Sequence, residues 1–262
     1  MDSQEMYVGA WKQAADAVVD LVPTLSAAQI AAPTDCPGWS VHDVVAHLEH
    51  LETVANGRPE PPAGIAIVAS DYTEAGVAER RDVPTADLLA SFREHTAQRH
   101  DFLTSTRLDL AETAPVTPAG VPWTWETLLR NRAVDLWVHE QDIRRAVGVP
   151  GDLSSLGAQV TTHTFAAGMG FVLGKKVKAP AGTMVRWLVT GGAAVTIELL
   201  VGEDGRARRA EPGTVADVTL GMTSEAFCVL AAGRRGPADV EVGIDGDAQL
   251  AAAVLGAMTL TF

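Results

Sequence analysis

The sequence predicts a mainly α protein that ends in a smaller α+β part: a four-helix bundle followed by strands and short helices. Two observations carry this expectation. Apolar residues recur at helical spacing through roughly the first 150 residues, and beyond "AVGVPGDL" they alternate with polar ones, the period-two mark of strands with one wet face.

The helical half builds up in order. In "EMYVGAWKQAADAVVDLV", Met6, Ala10, Ala14, Val18 and Leu21 share a face. The stretch "CPGWSVHDVVAHLEHLE" opens a second helix with explicit start signals. Ser40 is an N-cap, Asp43 can reach back to it as in a capping box, and Trp39 and Val44 stand where a hydrophobic staple would form. Val41, Val44, Val45, Leu48 and Leu51 define its buried stripe. A third helix, "TADLLASFREHTAQRHDFLTS", aligns Leu88, Leu89, Phe92, His95 and Phe102 or Leu103. The fourth begins near Thr124 and aligns Leu128, Leu129, Leu136, Ile143 and Val147. Four helices of this length are what a bundle needs. The connection from Asn56 to Val83, with "GRPEPPAGIA", reads as a long breaker-rich loop, a functional lid or a partly disordered one.

In the second half, "TMVRWLV", "AVTIELLV", "VADVTLGM" and "DVEVGI" read as strands. Gly191 and Gly192 suit a hairpin between the first two. The last two strands are each followed by a helix, "TSEAFCVLAAG" and "DAQLAAAVLGAM", with Gly233 closing the former and Asp247 capping the latter. The boundary falls near Gly148 to Asp152, giving domains 1–150 and 151–262.

The formal net charge of −13 argues against a nucleic-acid partner and against an anionic membrane surface, and favours a small-molecule substrate. Cys36 and Cys228 stand far apart in no metal or redox spacing, which fits a reducing cytoplasm. The opening "MDSQEMYVGAWKQ" lacks a signal-peptide pattern, and no apolar run approaches the roughly 18 to 20 residues that span a bilayer. A cytoplasmic monomer or homodimer is expected.

Two helices carry ionisable groups on their apolar stripes. On the second, His42 and His50 point away from the stripe, whereas His47 sits at its edge beside Val44, Leu51 and Val54. On the fourth, Arg132, Asp135 and His139 fall within or beside the apolar face. Asp135 and His139 are four apart, hence one turn from each other on one face. Such a pair can present a carboxylate oxygen and an imidazole nitrogen to one cation, with a third ligand from a facing helix. For this pair the alternative is a buried ion pair in which Arg132 neutralises Asp135, and for His47 it is a core-edge histidine hydrogen-bonded to a backbone carbonyl.

"PTDCPGWSVHDVVAHLEHLE" and, later, "VDLWVHEQDIRRAVGVPG" resemble the mycothiol-dependent maleylpyruvate isomerase branch of the DinB-like bundle family. "ADVTLGMTSEAFCVLAAGRR" and "VEVGIDGDAQLAAAVLGAMTLTF" resemble the sterol-carrier-protein-like domain that often follows that bundle. The resemblance implies a divalent metal, zinc or else nickel, held by His47, Asp135 and His139. It also implies mycothiol or another small thiol as cosubstrate, held as its thiolate. Thiolate addition to an activated double bond, rotation and elimination would give cis–trans isomerisation; displacement of a leaving group would give S-transfer. The isomerase-type pattern has Glu where this chain has Asp135, one methylene shorter.

Around this centre, Asp43 and Asp142 are candidates to accept the second ring N–H of His139. Arg132 has two possible roles, guiding an anionic substrate or neutralising Asp135. Arg234, with Arg235 after a helix, could meet an anionic substrate or interact with the helix dipole. A non-catalytic binding protein and a bundle turned to other metal-dependent chemistry in a biosynthetic pathway are the competing functional readings.

Overall fold

The computed structural model describes residues 1–57 and 69–261. It divides into two compact units, Met1–Gly151 and Asp152–Phe262. The first is helical: α1 (Ser3–Leu21), a one-turn α2 (Ala27–Ile30), α3 (Val41–Ala55), α4 (Ala69–Ala78), α5 (Thr85–Ser105) and α6 (Trp125–Val147). Helix α1 packs on α5 and α6, and α3 packs on the same two, so the four long helices close a ring around a shared core. That core holds Val8, Trp11, Val18, Leu48, Phe92, Leu103, Leu128, Leu136 and Ile143.

Several faces differ from the simple wheels. In α1, Met6 and Leu21 are half-buried, and Trp11 and Ala15 are in the core instead. In α5, Leu103 is buried and Phe102 is exposed, while Thr96 and Arg99 rather than His95 turn inward. From Arg132 to Ile143, α6 is buried at every position but Asp135. It therefore has no polar back, which is why one apolar stripe described it poorly.

The Ser40 capping box forms as expected: Ser40 Oγ accepts from the Asp43 amide, and Asp43 Oδ2 accepts from the Ser40 amide at 2.8 Å. Part of the expected Asn56–Val83 loop is helical, because α4 lies within it and packs on α3. Residues 58–66 of "GRPEPPAGIA" lie outside the described residues. The presence of α4 also corrects the reading of His50. This side chain is buried, with its ring 5.4 Å from that of Tyr72 on α4. A wheel that assumes one buried face cannot anticipate a second covering helix.

The second unit has a five-stranded sheet of order β3-β2-β1-β4-β5, formed by β1 (Met184–Thr190), β2 (Val195–Val201), β3 (Ala207–Arg209), β4 (Val218–Thr223) and β5 (Gly243–Gly246). Strands β1 and β4 run parallel and the other pairs antiparallel. Val185, Trp187 and Val189 of β1 and Val218, Leu220 and Met222 of β4 point to the core face. That face is covered by α7 (Leu156–Phe171), α8 (Ser224–Ala231) and α9 (Ala248–Gly256). Gly191 turns the β1–β2 hairpin at φ 97°. Asp247 Oδ1 accepts the amides of Gln249 and Leu250 at the start of α9. Among the described residues, no helix is long and apolar enough to cross a membrane.

Candidate metal centre

Helices α3 and α6 are neighbours in the bundle, and their inward ionisable groups meet. His47 Nε2 and His139 Nε2 each lie 3.6 Å from the same oxygen, Asp135 Oδ1. One ligand atom from each of the three residues lies within 4.8 Å of the others. The two imidazole rings meet edge to face with centroids 4.7 Å apart. Both are buried, whereas the Asp135 side chain is 31 % exposed, so the cluster has one open side.

The surroundings assign a task to each group. Asp142 Oδ2 is 3.1 Å from His139 Nδ1, which fixes the ring so that its Nε2 faces Asp135. Asp43, the other candidate for this position, is engaged with Ser40 and Arg81 instead. Asp142 Oδ1 is held by Arg145, whose Nε binds Asp35 at 2.6 Å. Arg132 donates from one nitrogen to Asp135 Oδ2 at 2.7 Å and from another to Glu52 Oε1 at 2.6 Å. The Asp135 carboxylate thus offers one oxygen to the histidines and gives the other to Arg132.

These contacts set the protonation states. Burial pushes His47 down to about 4, outweighing the pull of Asp135, so its imidazole is neutral at pH 7. Burial also disfavours the charged form of His139. The charge of Asp135 and the hydrogen bond to Asp142 overcome that penalty and raise it to about 10. The two histidines diverge because only His139 has a carboxylate on each ring nitrogen. Burial works against the Asp135 carboxylate too, yet Arg132 and the histidines hold it well below the usual carboxylate range.

The residues present suit a divalent metal. Neither ring nitrogen of buried His47 makes a hydrogen bond. Leaving a buried polar group unsatisfied costs about 1–3 kcal/mol, and a cation beside Asp135 Oδ1 would relieve it. Two imidazoles and a carboxylate with an open side form the donor pattern of catalytic zinc. A second group of possible ligands, Cys36, His139 and Asp142, lies on the opposite side of the His139 ring. There the Cys36 thiol already donates to Asp142 Oδ2 at 3.2 Å and Arg145 neutralises Asp142, so hydrogen bonding explains it without an ion.

Three residues of this neighbourhood escaped the reading of the sequence. Trp39, expected to staple against Val44, lies over the site: its ring centroid is 5.1 Å from that of His47 and 6.1 Å from that of His139. Its indole N–H donates to Glu74 of α4 at 3.0 Å. Cys36 lies in the turn before α3, where no periodicity reports direction. Glu52 is fully buried in line with Val41, Val45 and Leu48, and a carboxylate on that apolar row was a visible signal. Arg234 lies in the second unit, after α8, where it donates to Ala232 O at 3.1 Å, a contact with the end of its own helix.

A helical bundle with two histidines and an aspartate converging from adjacent helices, followed by an α+β unit, is the class that the fold and the cluster define. Residues 11–144 match the family described as the mycothiol maleylpyruvate isomerase N-terminal domain, and the chain belongs to that family. The crystal structure of the mycothiol-dependent maleylpyruvate isomerase is similar over 94% of this chain and 93% of that one, with TM-score 0.60 and 15% identity. That of a histidine-to-alanine mutant of the isomerase gives TM-score 0.59 and 16% identity over the same shares. At this identity the likeness is one of fold. Two uncharacterized proteins, from two strains of Mycobacterium tuberculosis, are each 28% identical over 136 residues, 49% of this chain and 51% of theirs. The chain thus spans about half the length of the curated relatives it matches.

Proposed function

We propose that this protein is a metal-dependent enzyme that uses a small thiol, mycothiol in the first place. It would act on a small electrophilic metabolite by cis–trans isomerisation or S-transfer. The observation that carries this reading is the convergence of His47 Nε2 and His139 Nε2 on one oxygen of Asp135, with His47 otherwise unpaired. Membership of the isomerase family supports the choice of thiol and of reaction class.

His47, Asp135 and His139 would hold the ion, zinc or alternatively nickel. When bound there, the cation supplies a Lewis acid that keeps a coordinated thiol as its thiolate, the nucleophilic form. The chain's own residues do the rest. Asp142 accepts the Nδ1–H of His139 and so turns Nε2, once its proton is displaced, toward the place of the ion. Arg132 fixes Asp135 Oδ2 and leaves Oδ1 for the ion. Trp39 covers the histidine rings and limits water on that side. The partly exposed flank of Asp135 is where thiol and substrate would enter. With both hydrogen-bonded ends of Arg132 taken by carboxylates, neutralisation of Asp135 is favoured over direct substrate binding for this residue.

Metal analysis of the purified protein is the first test. About one zinc or nickel per chain is expected, lost in His47→Ala and in His139→Ala. A protein that takes up neither metal, or whose uptake ignores both substitutions, overturns the reading. Incubation of the loaded protein with mycothiol and maleylpyruvate then tests the thiol and the reaction. Thiol-dependent cis–trans isomerisation of maleylpyruvate supports isomerisation, and a thioether formed from mycothiol and 1-chloro-2,4-dinitrobenzene with release of chloride supports S-transfer.

A further inference from the structure

We propose that Glu52 is a positioning residue for the metal centre, acting through Arg132 to keep Asp135 turned with a single oxygen toward the histidines. The inference rests on the metal site proposed above.

Glu52 lies at the middle of the bundle, with no exposed surface, and groups from the three other long helices converge on it. Trp11 of α1 donates its indole N–H to Glu52 Oε1 at 3.0 Å. Arg132 of α6 donates to the same oxygen at 2.6 Å. Arg99 of α5 brings its Nε to 3.9 Å from Oε2 and is anchored by donating to Ala55 O at 3.1 Å. A carboxylate in this place needs a reason, because apolar residues of similar volume commonly stabilise a core as well or better.

The reason lies in what Arg132 would do without it. A guanidinium facing a lone carboxylate forms two parallel hydrogen bonds, one to each oxygen. Such a fork on Asp135 would occupy Oδ1, the atom that both imidazoles face. Glu52 occupies the second arm of the fork, so Arg132 reaches Asp135 with one nitrogen and touches Oδ2 alone. It also takes up part of the positive charge that would otherwise oppose a cation at Asp135. Trp11 and Arg99 fix Glu52 in turn.

The test is Co2+ and Zn2+ binding to the full chain, read as affinity and as the visible absorption of the Co2+ form. Glu52→Met keeps the side-chain volume and removes both the charge and the oxygen that accepts from Arg132, which frees the second arm of the fork. Its Co2+ affinity is expected to fall about 10-fold, the low end of the loss when outer support for a ligand is removed, with an altered ligand-field band. On an Arg132→Gln background, the same substitution is expected to change the affinity by less than about twofold, because the path runs through Arg132. Wild-type affinity in Glu52→Met, or an equal loss in both backgrounds, overturns the proposal. Should Glu52→Met fail to fold, Trp11→Phe removes the indole donor and leaves every charge in place. A several-fold weaker Co2+ affinity is expected there, and an unchanged one again overturns the proposal. A wild-type chain that binds neither ion overturns the metal site itself and this inference with it, an outcome distinct from the others.

Discussion

Asp135 is shared among three partners, and the sharing decides how the cluster responds to protons. Its Oδ1 faces both imidazoles while its Oδ2 accepts from Arg132. The arrangement repeats on the far side of His139, where Arg145 joins Asp35 to Asp142 as Arg132 joins Glu52 to Asp135. Each carboxylate that faces a histidine is thus held from behind by an arginine. One methylene shorter than the Glu of the isomerase-type pattern, Asp135 still brings Oδ1 to 3.6 Å from both histidines. At pH 7 His47 is neutral and Asp135 ionised, but His139, raised to about 10, carries a proton that a metal must displace. Zinc uptake is therefore expected to release about one proton per ion, and the affinity to rise roughly tenfold per pH unit towards pH 10. Calorimetry in buffers of different ionisation heat measures this release; none, or two protons, would contradict the assigned states. Without metal the sign for stability is opposite. His139 is raised above its ordinary 6.5, so its contribution is complete below that value and is lost as pH climbs through about 10.

Helix α3 shows how local signals and covering elements divide the work. Its start is fixed locally, by the reciprocal Ser40–Asp43 bonds, and Ser40→Ala is expected to cost about 1 kcal/mol in urea unfolding. Its far side is set by tertiary packing: α4 covers it, with the His50 ring against Tyr72 and the buried Glu49–Arg80 ion pair beside them. At Gly76 the approach leaves no room for a side chain, because a Cβ would come within 2.3 Å of His50 Cδ2. Gly76→Ala gains up to about 1 kcal/mol in helix propensity and loses about 1–3 kcal/mol to overpacking. A net loss of stability is expected, and a rise in the midpoint of urea unfolding would show that His50 yields easily. The same contrast explains what the sequence could tell. The capping box, the four long helices and the inward edge of His47 are written in short-range spacing. The burial of His50, the seat of Trp39 over the histidines and the place of Cys36 depend on elements distant in the chain. Helix α7 escaped notice because "LGAQVTTHTFAAGMGF" is rich in glycine and threonine and has little amphipathic contrast. Strand β3 escaped because "ARR" is short and charged at the sheet edge.

At the scale of the helical unit, one layer of buried charges joins α3, α5 and α6: Arg99 meets Glu52, Glu52 meets Arg132, and Arg132 meets Asp135, with Asp142 behind His139. A separate buried pair, Glu49 and Arg80, joins α3 to the residues just after α4. Their charges are matched by neighbours, so the unit folds around ionised groups instead of excluding them. Such a layer was legible only in part, since periodicity flags a charge on an apolar row but does not say which charges meet. If the triad holds zinc, binding must stabilise the folded helical unit by mass action, by about 4 kcal/mol when free metal exceeds the dissociation constant a thousandfold. The ligands lie on two helices, so the gain should localise. Hydrogen exchange with and without zinc is expected to slow most at the amides of Val41–Ala55 and Trp125–Val147, which carry His47, Asp135 and His139. It should do so in the wild type and not in His47→Ala. Protection that rises elsewhere while these two helices stay unchanged would place the ion away from the triad, and the metal centre proposed here would fall.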